Sequence, residues 1–253
     1  MRRNIFYILL VSILIFGCSN QAPTPKLTNF EFIEINNPSN IDTAINTTIL
    51  PYRDSVNLAM DKVIGTSSTT LYSYKPDSPL SSFVADLLYN AGLKYLVNIG
   101  YINPKVIALV NVRGLRTPLP EGTIKIRNAY EIMPFENIMT AILLKGDQLQ
   151  KFFDILAYEN GDGISGATLT LTKDGPASIK VDNSDIIETE EYWVVTSDYL
   201  AEGGDGYSIF KEADTRIITS QTIRDIIIEG IETMTANNQL ITPSKNIRIT
   251  DER

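Results

Sequence analysis

The chain has 253 residues, 43% of them hydrophobic and 21% charged, an ordinary globular composition that excludes disorder, collagen-like repeats and a pure coiled coil. Lysine and arginine total 22 against 30 aspartates and glutamates, a formal charge of −8 with no basic run, so no nucleic acid is expected as a partner. There is no histidine, which excludes a Ser-His-Asp triad, a Cys-His pair and the usual His-containing zinc site.

In chain order the first feature is an address. Arg2 and Arg3 precede an apolar run from Ile5 to Phe16. The run is too short to span a bilayer as a helix and suits the core of a signal peptide. It ends in Ile15-Phe16-Gly17-Cys18, which resembles a bacterial lipoprotein box, where the cysteine is lipidated and becomes the first residue of the mature chain. The expected organisation is residues 1–17 as a lipoprotein signal peptide, 18–50 as lipidated Cys18 and a tether, and 51–253 as the body. Asn20, Pro23 and Pro25 suit a flexible tether. The expected location is exported and lipid-anchored through Cys18 at the bacterial cell envelope, on the outer membrane. The plainer alternative is a short anchor helix with an incidental cysteine. As the single cysteine, Cys18 cannot form an internal disulfide.

The body reads as one mixed α/β domain, a mixed sheet flanked by helices around one core. Val56, Leu58, Ala59, Met60 and Val63 fit a helical stripe over residues 52–64. A second helix is predicted over 80–97, with Pro79 suited to its first turn. Val106-Ile107-Ala108-Leu109-Val110 is a continuous apolar run, the signature of a strand buried on both faces. Further strands are predicted at 139–144, 168–172 and 192–196, helices from Gly146 to Leu156 and over 221–234, and an edge strand at Ile247-Arg248-Ile249.

Three loops carry candidate chemistry. Asn111-Val112-Arg113-Gly114-Leu115-Arg116 follows the buried strand, where α/β sheets gather ligands. Arg116 offers a planar fork for phosphate, carboxylate or sugar oxygens, or else an ordinary surface salt bridge. Met133-Pro134-Phe135-Glu136-Asn137 offers an aromatic that could stack on a flat ligand or plug the core. Asp198-Tyr199-Leu200-Ala201-Glu202-Gly203-Gly204-Asp205-Gly206-Tyr207 sets one aspartate among three glycines. An ionised aspartate there accepts only, which suits a pair of ribose hydroxyls; a plain glycine turn is the alternative. The alternating ligands of an EF-hand calcium loop are missing.

In this order the three loops resemble the C-terminal domain of the 5′-nucleotidase family, which includes UDP-sugar hydrolases and cyclic-phosphodiesterase nucleotidases. The family pattern runs through an Asn-Gly-Gly-Arg-type loop after a strand, a Pro-Phe-x-Asn loop, and a long aromatic-Leu-Ala-x-Gly-Gly-Asp-Gly-aromatic loop. Ile164-Ser165-Gly166 matches a further landmark. The resemblance extends from about Tyr52 to the C-terminus. It implies that Phe135 and Tyr199 sandwich a nucleobase, Asp205 accepts the ribose hydroxyls, Asn111 and Asn137 face the base or ribose edge, and Arg116 contacts the ribose or nearest phosphate. Val112 and Arg113 stand where the family loop has glycines, and the stretch Tyr74-Lys75-Pro76-Asp77-Ser78 before the second helix has no arginine where the family usually carries one that helps hold substrate; Lys75 or Arg113 is left to supply that charge.

In the family, catalysis belongs to an N-terminal metallophosphoesterase domain whose histidines and carboxylates hold two metals. With no histidine and little chain between Cys18 and the first helix, the expectation is a non-catalytic module with no cofactor of its own. The divalent metals would sit on a separate metallophosphatase chain, the ligand being a nucleoside 5′-phosphate or nucleoside. The alternatives are a free-standing nucleotide-binding scavenging lipoprotein and, on the Ser208-Ile209-Phe210-Lys211 pattern, a penicillin-recognising enzyme; for the latter the companion Lys-Thr-Gly triplet is missing.

Overall fold

The computed structural model describes residues 42–253. The expected signal peptide, Cys18 and the tether up to residue 41 lie outside the described residues. Helix α1 spans Thr43–Met60. Asp42 starts it, its Oδ1 accepting the N–H groups of Ala44 at 2.9 Å and Ile45 at 3.1 Å, two donors that a helix start otherwise leaves unpaired. The helix therefore begins earlier than the apolar stripe suggests, and Pro51 lies inside it. Val63 and Ile64, expected at its end, belong instead to strand β1 (Val63–Ser67), where Ile64 is buried.

The remaining elements follow as α2 (Pro79–Asn98), β2 (Val106–Val110), β3 (Gly122–Lys125), α3 (Ile126–Ile132), β4 (Ile138–Lys145) and α4 (Gly146–Tyr158). After them come β5 (Gly163–Ser165), β6 (Ala167–Thr172), β7 (Gly175–Val181), β8 (Glu191–Ser197), α5 (Asp198–Ala201), β9 (Thr215–Thr222), α6 (Ile223–Ala236) and β10 (Ile249–Asp251). Ser78 caps α2 ahead of Pro79, and Thr222 caps α6 by accepting the Asp225 N–H at 3.1 Å. That cap explains why α6 starts two residues later than its apolar pattern: residues 221 and 222 complete β9. Among the described residues no helix is long and apolar enough to cross a membrane.

The strands form three sheets rather than one. The largest has the order β5-β2-β8-β4-β9; β1 pairs with β3, and β10 lies beside β6 at the edge of a β10-β6-β7 sheet. In the large sheet β2 runs parallel to β8, while β4 is antiparallel to β8 and β5 antiparallel to β2. Side chains of a strand alternate between faces, and the sheet divides its apolar residues accordingly. Val106, Ala108, Val110, Val195 and Ala141 join Leu88 of α2 and Ile227 of α6 in one cluster. Ile107, Leu109, Val194 and Ile142 join Leu149, Phe152 and Phe153 of α4 in a second. The single expected core is thus two clusters, one on each face of the sheet. This covering on both faces is why β2 reads as an unbroken apolar run; all five of its residues are buried.

The directions of these strands position the site. β2 and β8 are parallel, so Asn111 and Asp198, which follow them, emerge at the same edge. β4 runs the opposite way, so the residues that precede it, 133–137, arrive at that edge too. The amino end of β5, where Gly163 faces Val110, is also there.

Candidate ligand-binding site

The three loops enclose a cavity of about 630 Å³, and Asn111, Arg116, Phe135, Asn137, Tyr199 and Asp205 all line it. Arg113 lines it as well. Lys75, the other candidate for a replacement charge, does not: its Nζ lies 3.6 Å from Asp162 Oδ1 and 3.9 Å from Glu159 Oε2. Among the described residues neither Arg113 nor Arg116 has an acidic partner within salt-bridge distance. Two guanidinium groups therefore face the cavity uncommitted to a carboxylate, a setting that favours an anionic guest.

Residues 112–114 form a single tight turn after Asn111, whose side chain is nearly buried. The Asn111 Nδ2 donates to Asp205 Oδ2 at 2.7 Å, and the Tyr199 hydroxyl donates to Asp205 Oδ1 at 2.9 Å. Asp205 holds a left-handed backbone, φ 48°, which aspartate tolerates better than most residues. Gly203 beside it has φ 82°. Gly204 leaves room for a ring: a Cβ there would stand 2.5 Å from Tyr199 Cζ. The loop is more ordered than its glycines suggest, since α5 opens it with Ser197 accepting the Leu200 N–H at 3.1 Å. Tyr199 remains 47% exposed, and its hydrogen bond to Asp205 pushes its hydroxyl pKa up, keeping it a donor.

Phe135 lines the cavity and also packs on the core. It is half-buried against the first core cluster, and its ring carries the Arg116 guanidinium at 4.9 Å from the centroid, a cation–π contact. The loop that presents it is held from behind by Arg224 of α6, a residue sequence reasoning missed. The Arg224 guanidinium donates to the Met133 and Phe135 carbonyls at 3.4 and 3.3 Å, pairs with Glu136 and lies over the Tyr130 ring at 4.1 Å. Asp198 ties the same loop to the third one, accepting the N–H of Ile138 at 3.2 Å and of Tyr199 at 2.8 Å.

Other landmarks lie elsewhere. Ser165 of the Ile164-Ser165-Gly166 landmark donates to Asp86 Oδ1 at 2.7 Å and does not line the cavity. In Ser208-Ile209-Phe210-Lys211 the phenylalanine is fully buried, and no hydrogen bond joins Ser208 to Lys211 among the described residues. No group of three or more aspartate, glutamate or cysteine side chains that could hold a metal ion is found among the described residues. The described residues therefore offer no donor set for a two-metal centre.

The sequence profile of the family described as "5′-nucleotidase, C-terminal domain" matches residues 63–212, more than half of the chain. The trifunctional nucleotide phosphoesterase protein YfkN of Bacillus subtilis is 31% identical over 123 residues, which is 42% of this chain and 8% of that protein. The Homo sapiens 5′-nucleotidase is 25% identical over 155 residues, 53% of this chain and 27% of that protein. The chain thus corresponds to about a quarter or less of the length of these relatives. Among solved structures, a 5′-nucleotidase precursor from Thermus thermophilus superposes with a TM-score of 0.68 at 22% identity, over 83% of this chain and 43% of that one. The Haemophilus influenzae NAD nucleotidase gives 0.60 at 19% identity, over 84% of this chain and 42% of that one. At these identities the superpositions show the fold alone. The profile match over the three loops and the shared fold together make this chain a member of the 5′-nucleotidase C-terminal domain family.

Proposed function

We propose that this chain is a nucleotide-binding module that works beside a separate metallophosphatase chain, which supplies the two metals and the hydrolysis. The observation that carries the reading is the convergence of Asn111, Arg116, Phe135, Asn137, Tyr199 and Asp205, from three distant loops, on one cavity. Phe135 and Tyr199 take the base between them, Asp205 takes the ribose hydroxyls, Asn111 and Asn137 take polar edges, and Arg116 with Arg113 faces the phosphate. Stacking accepts any base, so affinity here is set by ring, ribose and charge rather than by base identity.

The test is a calorimetric titration of AMP into the full chain with manganese present. Saturable binding without phosphate release is expected, and Tyr199→Ala should raise the Kd about 5- to 150-fold, the loss of one aromatic face at ~1–3 kcal/mol. Steady phosphate release by the chain alone would overturn the division of labour. Binding unaffected by Tyr199→Ala would remove the base from this cavity.

We also propose that Cys18 carries a lipid that anchors the chain at the cell envelope. The chain made in a bacterial host with its N-terminus intact is expected to partition into the detergent phase, and Cys18→Ser to move it to the aqueous phase. Equal partitioning of the two forms would sink the lipid anchor.

A further inference from the structure

Asp162 is a buried carboxylate behind the cavity-lining residues. It is 2% exposed, lies one residue before β5, and does not line the cavity. A carboxylate out of water needs partners, and this one has three. Its Oδ1 accepts the Val112 N–H at 2.8 Å, its Oδ2 accepts the Tyr207 hydroxyl at 2.7 Å, and Lys75 Nζ stands 3.6 Å away. Burial pushes the Asp162 carboxyl pKa up, while the Val112 N–H, Lys75 and the Tyr207 hydroxyl pull it back. The Tyr207 hydroxyl, fully buried beside that carboxylate, is pushed far up and stays a donor.

The two main partners belong to different ligand loops. Val112 directly follows Asn111, and Tyr207 lies two residues after Asp205. Asn111 and Asp205 are themselves joined at 2.7 Å. The contacts therefore close into a ring: Asp162 to Val112, along the chain to Asn111, across to Asp205, along the chain to Tyr207, and back to Asp162. One side of the ring faces the cavity and the other is the buried carboxylate.

We infer that Asp162 is a positioning residue, whose carboxylate clamps the Asn111 loop to the glycine-rich loop and so sets where Asn111 and Asp205 meet a ligand. The ligand arm of this inference rests on the nucleotide reading above; the clamp itself is a property of the ligand-free protein. It acts by geometry rather than contact, because a group already at its bound position loses no further freedom when the ligand arrives.

Three variants of the full chain test it, each checked for folding by its thermal transition. Asp162→Leu keeps the branched shape, with two methyl groups bulkier than the oxygens they replace, and removes both acceptors. Asp162→Asn keeps an acceptor for Val112 and offers an amide N–H to the Tyr207 oxygen. Tyr207→Phe removes a single oxygen. Asp162→Leu is expected to raise the Kd for AMP about tenfold or more and Tyr207→Phe about threefold or more, with Asp162→Asn staying within about threefold of the wild type. In the ligand-free protein, the Val112 amide should exchange with solvent faster in Tyr207→Phe and Asp162→Leu than in the wild type. Folded Tyr207→Phe with wild-type affinity and wild-type exchange at Val112 would overturn the clamp. If Asp162→Leu does not fold, Tyr207→Phe decides. If the wild type itself fails to bind AMP, the nucleotide reading falls, and exchange at Val112 alone decides: faster exchange in Tyr207→Phe keeps the clamp, unchanged exchange removes it.

Discussion

Replacing Asp205 by alanine is expected to raise the Kd for AMP by more than about 100-fold. A carboxylate has roughly four lone-pair directions, and Asn111 and Tyr199 take two of them, leaving about two for ribose hydroxyls. Each hydrogen bond to a charged acceptor is worth about 1.5–3 kcal/mol, so losing two such bonds accounts for the factor. Alanine is also less at ease than aspartate at φ 48°, so Asp205→Asn serves as the backbone control, since asparagine tolerates the left-handed region as aspartate does. The measurement is a pair of titrations, AMP and its 2′,3′-dideoxy analogue, against wild type and both variants. The variants should lose affinity for AMP but lose little for the analogue, which lacks the hydroxyls. Equal losses for the two ligands would mean that Asp205 shapes the loop without touching the ribose.

The largest effect on stability is expected at Phe152. Its side chain is fully buried and packs among aromatics: Phe153 at 4.9 Å, Phe210 at 5.6 Å and Tyr207 at 6.0 Å between ring centroids. Tyr207 and Phe210 are themselves stacked, 5.7 Å apart with planes 14° from parallel. Phe152→Ala empties the middle of this stack and should cost about 3–5 kcal/mol. For a body of this size that is a fall in Tm of roughly 6–20 °C, read by scanning calorimetry. Phe152→Leu, which fills most of the volume, should cost less than half as much. A fall of only a degree or two for Phe152→Ala would mean that the stack yields to collapse and is not a rigid floor beneath the glycine-rich loop.

The elements that sequence patterning located share a physical trait: strong periodicity or unbroken apolarity over several residues. β2, β4 and β8 are central strands covered on both faces, so their burial is written into nearly every position. α4 has a clear apolar side, Leu149, Phe152, Phe153 and Leu156. β5, three residues long, is too short to show a pattern, and β9 is only partly covered, so its residues mix. The start of α1 was missed because it depends on one side chain, Asp42, rather than on apolar spacing.

The cavity was legible for a different reason. Its lining residues sit in loops whose chemistry is local and compositional, such as the three glycines around Asp205. The residues that hold those loops in place carry no such mark. Arg224 reaches the Phe135 carbonyl across 89 positions of sequence, and Asp162 reaches Val112 across 50 and Tyr207 across 45. A lone arginine on a helix and a lone aspartate beside a glycine look like surface residues until the fold closes over them.

The parallel pairing of β2 with β8 also governs when this molecule becomes a folded object. Thr196 of β8 donates its hydroxyl to the Leu109 carbonyl of β2 across 87 residues of chain. During synthesis β2 emerges long before its central neighbour, as an apolar strand with both faces bare and the partner edge open. Distant pairings of this kind slow folding and prolong the exposure of sticky segments. The nascent chain passes through most of its length without a completed sheet, and the core and the walls of the ligand cavity close only after β8, the glycine-rich loop, β9 and α6 have all been made.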